Sequence, residues 1–143
     1  MATYQTVTSE DRIEVAPYVA RCRETLRAAA VLRDGGFHAD AVSRAHQAAI
    51  HAERALLATE KRMPPDVRGV HRMTVNHFLQ PVTELAPHLA PLDRLSILRS
   101  RADDLADAPL GHDDAAEAVA VAEAFAAAAL AWLRDNGFGE GAK

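Results

Sequence analysis

Apolar residues recur every three to four positions along most of this chain, and glycines and prolines cut the pattern into blocks. The first block, about 9–34, puts Val15, Tyr18, Cys22, Leu26 and Ala29 on one helical stripe and ends at Gly35-Gly36. Thr8 and Ser9 are its candidate N-caps, and Pro17 marks a first turn, where a missing N–H costs nothing. A second block, about 38–60, carries Val42, Ala45, Ala49, Ala52 and Leu56 on one stripe, small enough to admit a neighbouring helix at close range. After the loop KRMPPDVRG (61–69) comes a short helical piece near 70–80. Pro81, Pro87 and Pro91 then break the chain before a helix at about 92–106.

The last helix is expected at about 113–135, after the loop DAPLGH, with Asp114 and Glu117 at capping-box spacing. It is apolar almost all round: Val119, Ala126, Leu130 and Leu133 face one way, Val121, Phe125 and Trp132 another. Such a helix is expected to be covered on two sides, by its own bundle and by a second subunit. No repeat and no strand pattern interrupts this series. The predicted fold is an all-α bundle of about five helices, one domain over 1–143 with its core at about 15–134 and flexible ends at 1–8 and 137–143.

Composition narrows the class further. Apolar residues make up 49% and charged residues 25%, the balance of a soluble globular chain. A net charge of −4 argues against non-specific, charge-driven binding to nucleic acid, although it leaves room for a local basic face. The single cysteine, Cys22, has no internal disulfide partner and sits on the apolar stripe of the first helix; a reducing cytoplasm is expected. The opening residues are polar, and the longest apolar run, 118–133, is short for a bilayer and contains Glu123, so no membrane association is expected.

The segment AVSRAHQAAIHAERALL (41–57) resembles the hallmark segment of HEPN-domain proteins, particularly the small stand-alone prokaryotic ones. VHRMTVNHFLQ resembles that family's middle helix, ILRSRADD its L-R-x-x-A-D-Y segment, and AEAVAVAEAFAAAALAWL its last helix. The run before Gly35-Gly36 fits its first helix, so the likeness extends over about 15–134 in the right order. The resemblance implies a helical bundle that dimerises. It also implies kinship with metal-independent ribonucleases, often toxins paired with a small nucleotidyltransferase antitoxin. Their signature is Arg, four to six residues, then His: histidine moves the proton of the 2′-hydroxyl or leaving oxygen, and arginine stabilises charge on the phosphate.

As a bare string that signature is uninformative, because roughly two matches are expected by chance in a chain of this composition. Three occur: Arg33 with His38 across the double glycine, Arg44 with His51, and Arg72 with His77. Arg44 and His51 are seven residues apart on a helix, about 10 Å, too far to cooperate directly. Alignment to the family segment instead puts the expected arginine at Arg99, and five residues on stands Asp104 rather than His or Tyr. An aspartate is a weak general base near neutrality and brings negative charge to a phosphate site. Residues 103–117 hold six acids and no Lys or Arg, and His112, thirteen residues after Arg99, is the nearest histidine downstream. The candidate catalytic set is therefore Arg99 with Asp104 or His112, and the alternative is Arg72 with His77.

Other groupings are weaker. Asp103 and Asp107 at i,i+4, with Asp113 and Asp114 beyond, have the hard oxygens of a Mg²⁺ or Ca²⁺ site, but a solvated helix end and N-cap acids explain them better. No Glu-x-x-His, His-x-x-x-His or Cys-x-x-Cys pattern occurs, so neither a metal nor a cofactor is expected. His46 lies near the apolar stripe of the second helix with Glu53 close to the same side. It is either a bonded core histidine or a polar group in a pocket for a nucleotide. Asp40, Arg44, Gln47, His51 and Arg54 share the opposite face, and segment 44–72 carries a net +3. Arg44, His46 and His51 are the candidate ligand contacts.

The function expected from the sequence is a HEPN-like binding module with a drifted catalytic site, homodimeric, meeting a partner such as a nucleotidyltransferase, a nucleotide or RNA. A ribonuclease toxin is the alternative, and a small-molecule enzyme using a pocket of the bundle is the second alternative.

Overall fold

The computed structural model describes residues 13–104 and 109–138. Five α-helices form the bundle over these residues: α1 (Val15–Asp34), α2 (His38–Ala58), α3 (Val67–Thr74), α4 (Leu89–Asp104) and α5 (His112–Asp135). No strand occurs among the described residues. Pro17 lies in the first turn of α1, as its chemistry requires. The candidate caps Thr8 and Ser9 lie outside the described residues.

α2 is the central helix and packs against the other four. Its buried alanines 41, 45, 48, 49, 52 and 55 keep the helix thin, so α1 and α5 approach closely while Leu56 and Leu57 fill the space between. The chain turns from α1 to α2 through Gly36 at φ +84°, left-handed backbone that glycine adopts without strain. The end of α2 returns to the start of α1, where Lys61 Nζ donates to the Ile13 carbonyl at 2.6 Å.

Three local expectations are corrected. Pro91 does not break the chain: it sits in the first turn of α4, which starts at Leu89. The helical piece near 70–80 is an α-helix followed by a π-helical turn at Val75–Leu79. α5 begins at His112, and its cap pairs Gly111 with Asp114, whose Oδ2 accepts from Gly111 N at 2.9 Å. Glu117 instead binds Arg94 of α4 at 3.2 Å.

α5 is 24 residues long with a mean hydropathy of 1.6 over its most apolar window, long and apolar enough by itself to cross a membrane. The shorter run seen in the sequence understated it. Its position explains the composition, because Ala118, Val119, Ala122, Phe125, Ala126, Ala129 and Leu133 are buried among the other helices. The second face is also used: Phe125 is buried, Val121 and Trp132 pack on the core as Leu130 of the first face does, and the Trp132 ring meets Phe78 edge-on at 5.2 Å. Along the middle of the helix Ala120, Glu123, Ala124 and Ala127 remain outward.

Candidate functional site

A cavity of about 360 Å³ lies between α2, α3 and α4. From α2 come His46, Ala49, Ile50 and Glu53, and from α4 Leu92, Leu95, Ser96, Arg99 and Ser100. Both sets recur at three- and four-residue spacing, so each presents one helical face to the opening. α3 adds Val67, Arg68 and His71 from its first two turns. That short helix is fixed by its N-cap, Asp66, which accepts from Gly69 N at 2.7 Å. Gly69 has to be small: a Cβ there would stand 2.9 Å from Pro64 Cβ and 3.0 Å from Asp66 Oδ1.

The deepest polar group is Glu53, whose side chain is 4% exposed. An unpaired carboxylate at that depth would be strongly destabilising. His71 Nδ1 meets Glu53 Oε2 at 2.8 Å, with the ring N–H donating to the carboxylate. Burial pushes the Glu53 carboxyl up, opposed by this bond. The same bond holds the His71 imidazole above its ordinary value, despite partial desolvation. The hydrogen bond to Glu53 thus favours the protonated imidazole of His71 more than in a free histidine. Its second nitrogen, Nε2, is 3.6 Å from Asp93 Oδ1, beyond a good hydrogen bond.

Arg99 sits on the α4 wall with Nε 2.8 Å from Asp103 Oδ2, one turn on. Asp103 also accepts from Ser43 Oγ of α2 at 3.2 Å, so this carboxylate holds Arg99 and ties α4 to α2. Arg68 is exposed and pairs with no other described residue. His46 faces these cations and stays neutral: burial first, then Arg99 and His71, press it down to about 4. The lining thus offers Arg68, Arg99, His71 and neutral His46 around the buried Glu53, against apolar walls of Ile50, Leu92 and Leu95. Chemically it can accept a small anion with an apolar body.

Of the residues singled out from the sequence, Arg99 and His46 meet in this cavity and the others do not. The side chain of Asp104 lies outside the described residues, as does Asp107. His112 is the first residue of α5, with a side chain 75% exposed, set against Asp113 at 3.4 Å and the His38 ring at 6.2 Å. Arg72 and His77 are exposed, and His77 Nδ1 is 2.6 Å from Glu60 Oε1 at the end of α2. Arg44 is exposed and bonds Gln47 at 3.3 Å. His51 is half-buried with an unpartnered Nδ1, and burial together with Arg54 and Arg21 lowers its pKa. Asp103 serves Arg99 and Asp114 caps α5, and no cluster of three or more metal-ligating side chains exists among the described residues.

His71 is the site residue that sequence reasoning missed, and Arg68 entered it only as part of the basic segment 44–72. One signal pointed to His71: a glutamate on the apolar stripe of a core helix requires a buried partner. Which of seven histidines supplies it depends on where α3 docks.

Comparison with known families settles the chain's kinship. The family model described as the HEPN domain matches residues 17–132, from the first turn of α1 nearly to the end of α5. No curated protein and no solved structure gives a match. The matched span contains every residue lining the cavity, and the chain belongs to the HEPN-domain family.

Proposed function

We propose that the protein is a binding module of the HEPN family with a drifted catalytic centre, whose cavity between α2, α3 and α4 takes a nucleotide. The phosphate lies toward Arg68 and Arg99, and the base against Ile50, Leu92 and Leu95. One observation carries this reading: Arg99, the arginine aligned with the family's ribonuclease motif, faces the cavity in an ion pair with Asp103. The position five residues on is Asp104, and the nearest downstream histidine, His112, stands at the exposed start of α5. A cavity of 360 Å³ is of ligand-pocket size. The family resemblance adds a homodimer as the working form and a nucleotidyltransferase as partner protein, which co-sedimentation of the purified proteins tests.

Titration of the four nucleoside monophosphates by calorimetry tests the cavity. Binding is expected, weakened about tenfold by Arg99→Ala through loss of a charge-assisted contact. A labelled mixed-sequence RNA is expected to stay intact with or without EDTA. EDTA-resistant cleavage leaving cyclic phosphate ends, and abolished by Arg99→Ala, would replace this reading with the ribonuclease one.

A further inference from the structure

We infer that His71, oriented by Glu53, is the residue that receives an oxyanion of the ligand, with Asp93 yielding its place on Nε2. The inference rests on the proposal that the cavity is the binding site, and it names what that site selects.

Glu53 is an acceptor, so it fixes the Nδ1 proton of His71 and turns Nε2 away from the core. The His71 side chain is 35% exposed and that of Glu53 only 4%, so the imidazole is the more open of the two to a ligand in the cavity. Asp93, 62% exposed, is the only described carboxylate on the Nε2 side, and at 3.6 Å its hold is loose. An oxyanion entering the cavity would exchange that contact for a direct, charge-assisted bond.

The surrounding charges favour such an exchange. α4 presents Asp93 and Arg99, α2 presents Glu53 and neutral His46, and α3 itself adds Arg68. Arg54 acts on Glu53 from α2. Two guanidiniums and the imidazole meet three carboxylates here: Glu53 is bonded to His71, Asp103 to Arg99, and Asp93 stands loosely at 3.6 Å, so Arg68 and His71 Nε2 are the donors least committed. Without the imidazolium's Nε2 proton, His71 presents a lone pair to the anion and repels it. Binding is thus tied to the charge on His71, and the class of group selected is a phosphate or a carboxylate.

The test follows the His71 side-chain nitrogens by NMR in the full-length protein while sodium phosphate, or separately sodium acetate, is added at constant ionic strength. Phosphate is expected to shift the Nε2 resonance saturably at pH 6, and affinity to fall about tenfold as pH rises through the His71 titration. The acetate arm tells whether any carboxylate suffices. His71→Gln, which retains a donor for Glu53, is expected to weaken binding about tenfold and, with acetate, whose charge is constant above pH 6, to remove the pH dependence. Asp93→Asn is expected to tighten it while leaving the pH dependence in place. Phosphate that leaves the His71 nitrogens unmoved, or that binds His71→Gln as tightly as the wild type at every pH, overturns the inference. The two proposals separate in this experiment. Nucleotides bound with His71 unmoved sink only this inference, phosphate bound at His71 without nucleotide affinity sinks only the nucleotide reading, and no binding of any kind sinks both.

Discussion

Glu53 and His71 depend on each other unequally. The carboxylate is sealed in the core, whereas the imidazole reaches water at its far edge. Removing His71 leaves a buried charge without its donor, while removing Glu53 leaves a histidine that water can satisfy. His71→Ala is therefore expected to cost about 3 kcal/mol near neutrality, and Glu53→Gln distinctly less. The His71→Ala cost is expected to shrink on acidification, because the orphaned carboxyl then escapes its charge by taking a proton; urea unfolding at two pH values measures both effects. His46 predicts the opposite sign. Its folded value, about 4, lies below its ordinary 6.5, so the folded state binds fewer protons and loses stability as pH falls through that window. The loss amounts to at most about 3 kcal/mol by pH 4. Comparing Tm from pH 7 to pH 4.5, His46→Gln is expected to decline less steeply than the wild type.

At the scale of the element, α3 is the fragile part of the site. It is only eight residues long, too short to hold itself, and depends on its cap and on packing over α2. Asp66→Ala is expected to cost about 1 kcal/mol. Gly69→Ala sets two effects against each other. Alanine's helix propensity favours the change by about 1 kcal/mol, but the added methyl meets Pro64 Cβ at 2.9 Å, a contact side chains do not sustain. The clash is expected to win, giving net destabilisation in thermal unfolding, and a stabilised variant would refute this account of the turn. Both substitutions are expected to weaken phosphate binding as well, since they move Arg68 and His71.

For the whole molecule, the closeness of α2 and α5 is what the alanines provide. Ala122 is fully buried while Ala124, on the same helix, faces outward. Ala122→Leu is expected to cost roughly 1–3 kcal/mol through overpacking, whereas Ala124→Leu is expected to stay within about 0.5 kcal/mol, both read from denaturant midpoints. An equal effect at both positions would mean that the outward face of α5 is covered in solution, which analytical ultracentrifugation of the same variants would then show as a change of mass.

Much of this architecture was legible before any coordinates. Helical periodicity, the Gly35-Gly36 turn and the alanine stripes specify the main helices, because local spacing and backbone freedom depend on neighbours in the chain. The order of five family-like segments identified the HEPN kinship that the family match over 17–132 establishes. Helix ends were less legible: a proline such as Pro91 is compatible with a break and with a first turn, and only packing chooses. The candidate site was legible in part. Arg99 and His46 stand out by position and by polarity on an apolar stripe, so both could be named. His71 could not, and Arg68 stood out only as part of the basic segment 44–72, because their meeting with Glu53 and Arg99 joins residues far apart in sequence through the packing of α3 on α2. The sequence by itself determined an all-α bundle of this family, with an aspartate, Asp104, five residues after Arg99. Tertiary structure alone decided which charges are buried, which are paired and which line a cavity, since Coulomb energy and desolvation depend on distance through space and not along the chain.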